Sequence, residues 1–370
     1  MLIKFEVTNF KNFENTLVFN FTKTNSYKFN KECVTDGVVN KALIYGHNGT
    51  GKSNLGFAIF DLVSHLTDKN IDKDVYQHYV NANSKNDLVE FKYTFKFNKD
   101  IVEYRYIKSD LSILIAEELH INNTLFASID RKQKSEAKIN VKGAETLKKD
   151  IGDSKISILS YINKNAILDE KDEANMIFQQ FLSFVNSMLF FRSLDENRYI
   201  GLEQGHSVID SDIIEHNNVK DFETFLNDVG IKCDLDVIEI LSEKILVFKF
   251  NNKIIPFFSI ASSGTKSLAL FYFWFQRLKE NGVDFLFIDE FDAFYHHDLS
   301  VNIVKLLKTL DTQVILTTHN TSVISNELLR PDCYFLLKEN DIKSLSNRTP
   351  KELREAHNIE KMYKAGSFGL

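Results

Sequence analysis

The sequence predicts an α/β protein whose parallel sheet carries a phosphate-binding loop, with an antiparallel β lobe beside it. Residues 46–53 fit the pattern G-x-x-x-x-G-K-[ST], and they lie between an apolar run at 41–45 and a helical segment at 54–66. From residue 263 onward, strand candidates alternate with helix candidates, as in parallel βα units. Residues 88–130 instead alternate apolar and polar side chains in short runs, which indicates antiparallel strands.

The predicted loop supplies the groups that a triphosphate needs. Its glycines let backbone amides approach the phosphate oxygens, and the following helix points its N-terminal amides at them. Lys52 is expected to contact the β- and γ-phosphates, and the Ser53 hydroxyl to ligate Mg²⁺. The chain is therefore expected to bind ATP and Mg²⁺. The predicted ATP-binding residues are Gly46, His47, Asn48, Gly49, Thr50, Gly51, Lys52, Ser53 and Asn54.

The other elements follow from periodicity. Leu2–Val7 and Leu17–Phe21 alternate as in a β-hairpin, and Ile156–Tyr161 is a short apolar strand candidate. Glu170–Phe190 has helical spacing, whereas residues 131–155 are polar and predict an exposed loop with a helix. The remaining predictions are helices at 221–229, 265–279, 298–309 and 350–363 and strands at 237–240, 245–250, 254–258, 284–288, 313–317 and 333–337.

These elements predict one head domain over residues 1–370. An N-terminal lobe, 1–165, would hold the phosphate loop and the β meander, and a helical insertion would occupy 166–232. A C-terminal lobe, 233–370, would complete the sheet. No heptad run is long enough to predict a coiled-coil arm.

Two later strands end in polar residues that suit phosphate chemistry. The strand at 284–288 runs into Asp289 and Glu290, and the strand at 313–317 leads to His319. Asp289 is expected to hold Mg²⁺, and Glu290 to orient and deprotonate the attacking water. His319 is expected to donate a hydrogen bond to the γ-phosphate.

A second candidate anion site precedes the long apolar helix at 265–279. It consists of Ser262, Ser263, Gly264, Thr265 and Lys266. A Ser-Gly pair at a helix start offers backbone amides to an anion, and here it could close on the nucleotide of a second subunit. Simple capping of the helix by Ser263 explains the same residues, and both interpretations can hold together.

Composition narrows the classes of function. The net charge of -6 gives no general attraction to nucleic acids, so DNA or RNA binding is possible but not favoured. The three cysteines are far apart in the sequence, which argues against a disulfide framework or a zinc knuckle. No apolar stretch approaches the roughly 20 residues of a membrane span, so no membrane partner is expected and the predicted location is the cytoplasm.

Together these motifs resemble the ATP-binding-cassette (ABC) ATPases, in the branch shared by SMC, RecF-type and double-strand-break repair proteins. Residues 262–266 stand at the signature motif, Asp289 and Glu290 at the Walker B pair, and His319 at the switch histidine. Val7–Phe13 is similar to the first strand and turn of RecF-like heads. The resemblance implies an ABC-type P-loop ATPase head. The family's glutamine loop has no clear counterpart, since Tyr161–Asn163 lies at about its place without a glutamine.

A narrower resemblance rests on Ile288–His296 and on the C-terminal stretch Leu353–Gly369. Both are similar to bacterial ATPases related to the OLD family, whose relatives occur in Septu, PARIS, abortive-infection and retron defence systems. OLD nucleases carry a TOPRIM domain after the ATPase, but only about 50 residues follow His319 here. Any nuclease or toxin activity is therefore expected in a separate chain.

Two functions from different classes follow. In the first, the chain hydrolyses ATP, forms an ATP-dependent head-to-head dimer or higher oligomer, and acts as sensor or scaffold for a separate effector, a nuclease or toxin, in antiphage defence. In the second, it is a RecF- or SMC-like DNA-binding repair ATPase. The acidic net charge weighs against the second. A metabolic P-loop kinase leaves Ser263, Gly264 and His319 unexplained.

Overall fold

The computed structural model describes residues 1–69, 73–133, 136–151, 155–192, 199–201, 209–240, 243–279 and 282–369. Its strands are β1 (Leu2–Thr8), β2 (Leu17–Asn20), β3 (Val34–Thr35), β4 (Val38–Val39), β5 (Lys41–Tyr45), β6 (Val89–Phe97), β7 (Asp100–Asp110), β8 (Ile113–Ile121), β9 (Thr124–Asp130), β10 (Lys138–Ile139), β11 (Met188–Arg192), β12 (Tyr199–Gly201), β13 (Leu235–Ile240), β14 (Glu243–Phe250), β15 (Lys253–Pro256), β16 (Phe285–Asp289), β17 (Gln313–Thr318), β18 (Tyr334–Lys338) and β19 (Asp341–Ser344). Its helices are α1 (Lys52–Phe60), α2 (Val63–Leu66), α3 (Ile158–Asn165), α4 (Glu173–Asn186), α5 (Ile209–Glu215), α6 (Val219–Asp228), α7 (Phe257–Ile260), α8 (Ser263–Lys279), α9 (His297–Lys308) and α10 (Ile359–Lys364).

A central sheet of seven strands has the order β12-β11-β16-β17-β5-β18-β19. Its five inner strands are parallel, and the two edge strands are antiparallel to their neighbours. All residues of β5, β16 and β17 are buried, as expected for a sheet covered on both faces. The predicted α/β class is therefore confirmed.

The second large sheet is antiparallel, with the order β10-β9-β8-β7-β6-β1-β2. Along β6 the side chains alternate strictly between buried and half-buried, which confirms the predicted meander at 88–130. Helix α4 packs on this sheet, since Phe181 lies within ring contact of both Phe95 and Tyr104. Gln313 at the start of β17 joins the two sheets, because its amide exchanges two hydrogen bonds with the backbone of Leu2, each 2.9 Å long.

Helix α1 lies between the two sheets. Gly56 faces the central sheet, where a Cβ would come within 2.8 Å of Phe190 and 3.0 Å of Phe287. On the opposite side, the Tyr93 hydroxyl of β6 donates a 2.8 Å hydrogen bond to the carbonyl of Ala58. Only a glycine at position 56 lets the helix approach the central sheet this closely.

A buried polar cluster fixes the end of α1 to the antiparallel sheet. The Asp61 carboxylate is fully buried and accepts hydrogen bonds from the hydroxyls of Tyr79 (2.7 Å) and Tyr106 (2.9 Å). The Lys108 ammonium, also buried, donates to Asp61 at 2.7 Å and to Ser64 at 2.7 Å. Burial lowers the pKa of Lys108, and the Asp61 charge opposes that shift. The cluster thus satisfies two charges that would otherwise be costly to bury.

Several predicted elements differ from the observed ones. The strand predicted at Ile156–Tyr161 is wrong, because these residues lead into helix α3. Ser157 caps that helix by accepting hydrogen bonds from the amides of Leu159 and Ser160, and the short apolar run suited either element. The helix predicted at 350–363 is confined to α10, which begins after the capping residue Asn358.

The helix predicted at Glu170–Phe190 ends at Asn186, and β11 follows it inside the central sheet. The range 166–232, expected to be a helical insertion, thus also supplies a sheet strand. The lobe boundaries remain predictions. In the described part of 131–155, strand β10 is present and no helix is found.

Among the described residues, the longest helix is α8 with 17 residues. That length leaves no room for a coiled-coil arm in this part of the chain. No helix described combines the length and the apolar character that crossing a bilayer requires.

Replacing Lys108 by Met tests the buried cluster. The variant is expected to lower the free energy of unfolding by about 3–5 kcal/mol, because Asp61 would keep a buried charge without its cation. Urea unfolding measures the change. Lys99→Met is the matched control, since Lys99 forms an exposed ion pair with Glu173 and should cost less than about 1 kcal/mol. Equal losses in the two variants would contradict the role of the cluster.

Candidate nucleotide-binding site

Three parallel strands end at one edge of the central sheet and bring the predicted motifs together. Tyr45, the last residue of β5, is paired with Thr318, and Ile288 is paired with Leu316. The phosphate loop follows β5, the acidic pair lies at the end of β16, and His319 follows β17. These three segments therefore lie side by side at the same edge of the sheet. This is the edge at which α/β sheets bind ligands.

The loop at residues 46–51 curls as its glycines permit. Gly49 and Gly51 have positive φ values of 82° and 97°. A Cβ on Gly46 would lie 2.5 Å from the Thr50 hydroxyl oxygen. The loop is closed by a hydrogen bond from the Thr50 hydroxyl to the carbonyl of His47, 2.9 Å long. Helix α1 begins directly after this loop, at Lys52.

Lys52 lies over the loop that precedes it. Its ammonium donates to the carbonyls of Gly46 (2.7 Å) and His47 (3.2 Å). Burial lowers the pKa of Lys52, while the nearby carboxylates of Glu290 and Asp289 oppose the shift. The lysine thus contacts the phosphate loop and lies near the two acids.

Asn12 is a contact of the loop that the sequence analysis did not include among the site residues. It lies in the turn between β1 and β2, and its amide donates to the carbonyl of Thr50 at 3.3 Å. Its side-chain oxygen accepts a 2.6 Å hydrogen bond from Asn54. A Cβ on Gly51 would lie 2.3 Å from the Asn12 amide nitrogen. The only sequence signal was its place in Val7–Phe13, which resembles the RecF-type turn.

The acidic pair lies at the end of β16. Asp289 is buried, and one of its carboxylate oxygens accepts a 2.7 Å hydrogen bond from the Thr317 hydroxyl. Glu290 has a left-handed backbone, with φ of 48°, and its amide donates to the same hydroxyl at 2.8 Å. A non-glycine residue in this region is strained, which is common at functional sites.

The neighbouring strand β11 brings one further residue beside Asp289. Tyr161–Asn163, proposed from the sequence, lies in helix α3 and in no strand of the sheet. The residue paired with Asp289 in the adjacent strand is Arg192, whose Nε lies 3.7 Å from the Asp289 carboxylate. Arg192 thus lies at the sheet position next to Asp289. Residues 188–190 were predicted as the end of a helix, so Arg192 was not among the predicted site residues.

His319 follows Thr318 at the end of β17, and its side chain is exposed. The Thr318 hydroxyl donates a 2.9 Å hydrogen bond to the Asp292 carboxylate. Burial raises the pKa of Asp292, and the hydrogen bond from Thr318 partly opposes that shift. The turn after β16 is therefore fastened to the strand that carries His319.

The five residues predicted as the signature motif lie at the start of helix α8, with Ser262 directly before it. Ser262, and not Ser263, caps the helix, since the Ser262 hydroxyl accepts from the Thr265 amide at 3.1 Å. Ser262 and Ser263 are exposed, and Lys266 is half-buried. Gly264 lies against the turn after β16, where a Cβ would come within 3.1 Å of the Phe294 carbonyl.

No hydrogen bond between described residues joins 262–266 to the phosphate loop 46–53. The Ser262 hydroxyl is engaged with Thr265, and the Ser263 side chain beside it is exposed. Because α8 is 17 residues long, its N-terminal amides and dipole favour an anion there.

The chain resembles several solved structures at low identity. An SMC head bound to the C-terminal winged-helix domain of ScpA is 16% identical, with a TM-score of 0.49, over 94% of this chain and 99% of that one. The SMC head domain from Thermotoga maritima is 15% identical, with a TM-score of 0.45, over 95% and 99%. Neither likeness is close enough to transfer a function. No curated protein sequence matches the chain.

A family model gives the stronger assignment. The family is described as "AAA domain, putative AbiEii toxin, Type IV TA system", and it matches residues 41–325. The match runs from the strand before the phosphate loop to just beyond His319, so it contains the sheet edge described above. The chain belongs to this family of AAA-type P-loop ATPase domains.

Proposed function

We propose that this chain hydrolyses ATP as an ABC-type ATPase, that two copies close head to head around the nucleotide, and that this switch controls a separate effector in antiphage defence. The observation that carries the proposal is the start of α8, where Ser262 and Ser263 are exposed and Gly264 is half-buried. An anion-binding helix end that makes no hydrogen bond to its own phosphate loop suits the nucleotide of a second copy.

Within one copy, residues 46–54 would bind the triphosphate, with Lys52 on the β- and γ-phosphates. Ser53 and Asp289 offer a hydroxyl and a carboxylate oxygen, which are ligands that Mg²⁺ prefers, so the residues present fit this ion. Bound Mg²⁺ would neutralise charge on the β- and γ-phosphate oxygens.

Glu290 would act on the attacking water. Its carboxylate follows the buried Asp289 and lies close enough to Lys52 to oppose the lowering of that residue's pKa. From there it would orient the water and accept its proton. His319 would donate a hydrogen bond to the γ-phosphate, and loss of that phosphate would release the second copy.

The effector part of the proposal rests on the resemblance to OLD-related defence ATPases and on the description of the matched family, which names a toxin–antitoxin system. An ATP-dependent clamp can hold a partner in one nucleotide state and release it in the other. A nuclease or toxin encoded beside this chain is the partner we expect.

Replacing Glu290 by Gln is expected to trap the dimer. The amide cannot accept the proton of the attacking water, so ATP would be bound and not turned over. Light scattering after size-exclusion chromatography should show the mass of 42.8 kDa double when MgATP is added. The control is Glu103→Gln on the antiparallel sheet, which should hydrolyse ATP like the unmodified protein. A monomeric Glu290→Gln variant in saturating MgATP would refute the head-to-head model.

Mixing two inactive variants tests whether the site is shared between copies. Lys52→Ala removes the phosphate contact, and Ser263→Arg blocks the start of α8. Each alone should lose ATPase activity. In a mixed dimer, one site would combine both changes, while the other would combine an intact phosphate loop with an intact α8. Activity should therefore reappear on mixing, measured as phosphate release. Continued inactivity of the mixture, with both variants folded, would argue for sites contained within one copy.

A DNA-binding assay separates this proposal from a DNA-binding repair ATPase. With a net charge of -6, the chain is expected to bind duplex DNA weakly and to lose that binding as salt rises from 50 to 200 mM. Fluorescence anisotropy with labelled duplexes measures it, with and without MgATP. Tight binding at 200 mM salt together with DNA-stimulated hydrolysis would favour the repair function instead.

A further inference from the structure

The Thr317 hydroxyl lies between the two acids of the candidate site. It donates a 2.7 Å hydrogen bond to Asp289 and accepts a 2.8 Å hydrogen bond from the Glu290 amide. The carbonyl of Thr317 also accepts from the amide of Phe291, at 3.1 Å. One residue of β17 therefore holds three consecutive residues at the end of β16.

The chemistry of a hydroxyl suits this position. It has one hydrogen and two lone pairs, so it can serve a carboxylate and an amide at the same time. Thr317 is completely buried and Asp289 is nearly so, which leaves no water to replace a lost contact. A valine at 317 would keep the shape and remove both hydrogen bonds.

The hydrogen bond to the Glu290 amide restrains an unfavourable backbone conformation. Its φ of 48° is unfavourable for a residue with a side chain and persists only when the surroundings hold it. The hydrogen bond from its amide to Thr317 is one such restraint. The left-handed turn decides where the Glu290 carboxylate points, so the restraint acts on the direction of that carboxylate.

We infer that Thr317 is a positioning residue for hydrolysis: its hydroxyl orients Asp289 toward Mg²⁺ and holds Glu290 in the turn that directs its carboxylate at the attacking water. This inference rests on the proposed ATPase function. Thr317 touches no reacting atom, so it acts through the two acids. Thr317 directly precedes Thr318 and His319. The strand that leads to the proposed phosphate-sensing histidine therefore also fixes the positions of Asp289 and Glu290.

The experiment compares three variants of the full-length chain. Thr317→Val removes the hydroxyl, and Thr317→Ser keeps it. Thr312→Val is the matched control, since Thr312 is buried beside the opposite end of β17 and its hydroxyl donates to the carbonyl of Val283 at 2.8 Å. For each variant, kcat and KM are measured, together with the affinity for a fluorescent ATP analogue in Mg²⁺ and in EDTA.

Thr317→Val should lower kcat about 10- to 100-fold, as is usual when a residue supporting a metal ligand is lost. Its affinity in EDTA should match the unmodified protein, and the gain in affinity from Mg²⁺ should shrink. Thr317→Ser should restore kcat, and Thr312→Val should leave it unchanged. Equal kcat in Thr317→Val and Thr312→Val, or a Thr317→Ser variant as slow as Thr317→Val, would overturn the inference.

Two further outcomes need their own test: a Thr317→Val variant that does not fold, and an unmodified protein that does not hydrolyse ATP. If Thr317→Val does not fold, Thr317→Cys replaces it, because a thiol is a weaker donor and acceptor. An unchanged kcat and Mg²⁺ response in that variant would also overturn the inference. If the unmodified protein binds MgATP without hydrolysing it, the proposed function fails. The loss of the Mg²⁺ effect in Thr317→Val still decides whether Thr317 positions Asp289.

Discussion

Helix α1 is the element on which both sheets of this protein depend. Its first residue, Lys52, ends the phosphate loop, and its middle packs on the central sheet through Gly56. Directly after its last turn, the Asp61 carboxylate is bound by Tyr79 and by Tyr106 and Lys108 of β7. A helix held on both sides cannot tilt without breaking a buried ion pair, which costs several kcal/mol. The phosphate loop is therefore attached to a helix that is held on both sides.

At the candidate site, hydrogen bonds from the end of β17 hold residues at and just after the end of β16. Thr317 and Thr318 are adjacent at the end of β17, and they hold Asp289 and Asp292 respectively. The next residue is His319, and the turn containing Asp292 continues to Phe294, which lies against Gly264. A displacement of His319, the proposed sensor of the γ-phosphate, would thus be passed through packed neighbours to the start of α8. That continuity suits the proposed switch between an open and a closed pair of heads.

The elements predicted well from the sequence have local signals. The phosphate loop is defined by residue types at fixed spacing, and the meander by strict alternation of buried side chains. The failures occur where a short apolar run suits two structures. Ile156–Tyr161 became part of a helix because Ser157 caps it, and Met188–Arg192 became a strand because it pairs with β16. Arg192 was missed for the same reason, since it lies beside Asp289 only because β11 pairs with β16.

The sequence by itself determined the fold class, the phosphate loop and the order of its partner motifs, because each depends on neighbouring residues. It also named Ser53, Asp289, Glu290 and His319 as candidates for one site. Only the tertiary structure decided how these groups are held. Asn12 lies in the turn between β1 and β2 and contacts the phosphate loop, whereas Thr317 contacts Asp289 because β17 pairs with β16. Such contacts join residues far apart in the chain, so they cannot be predicted from the spacing of neighbouring residues in the sequence.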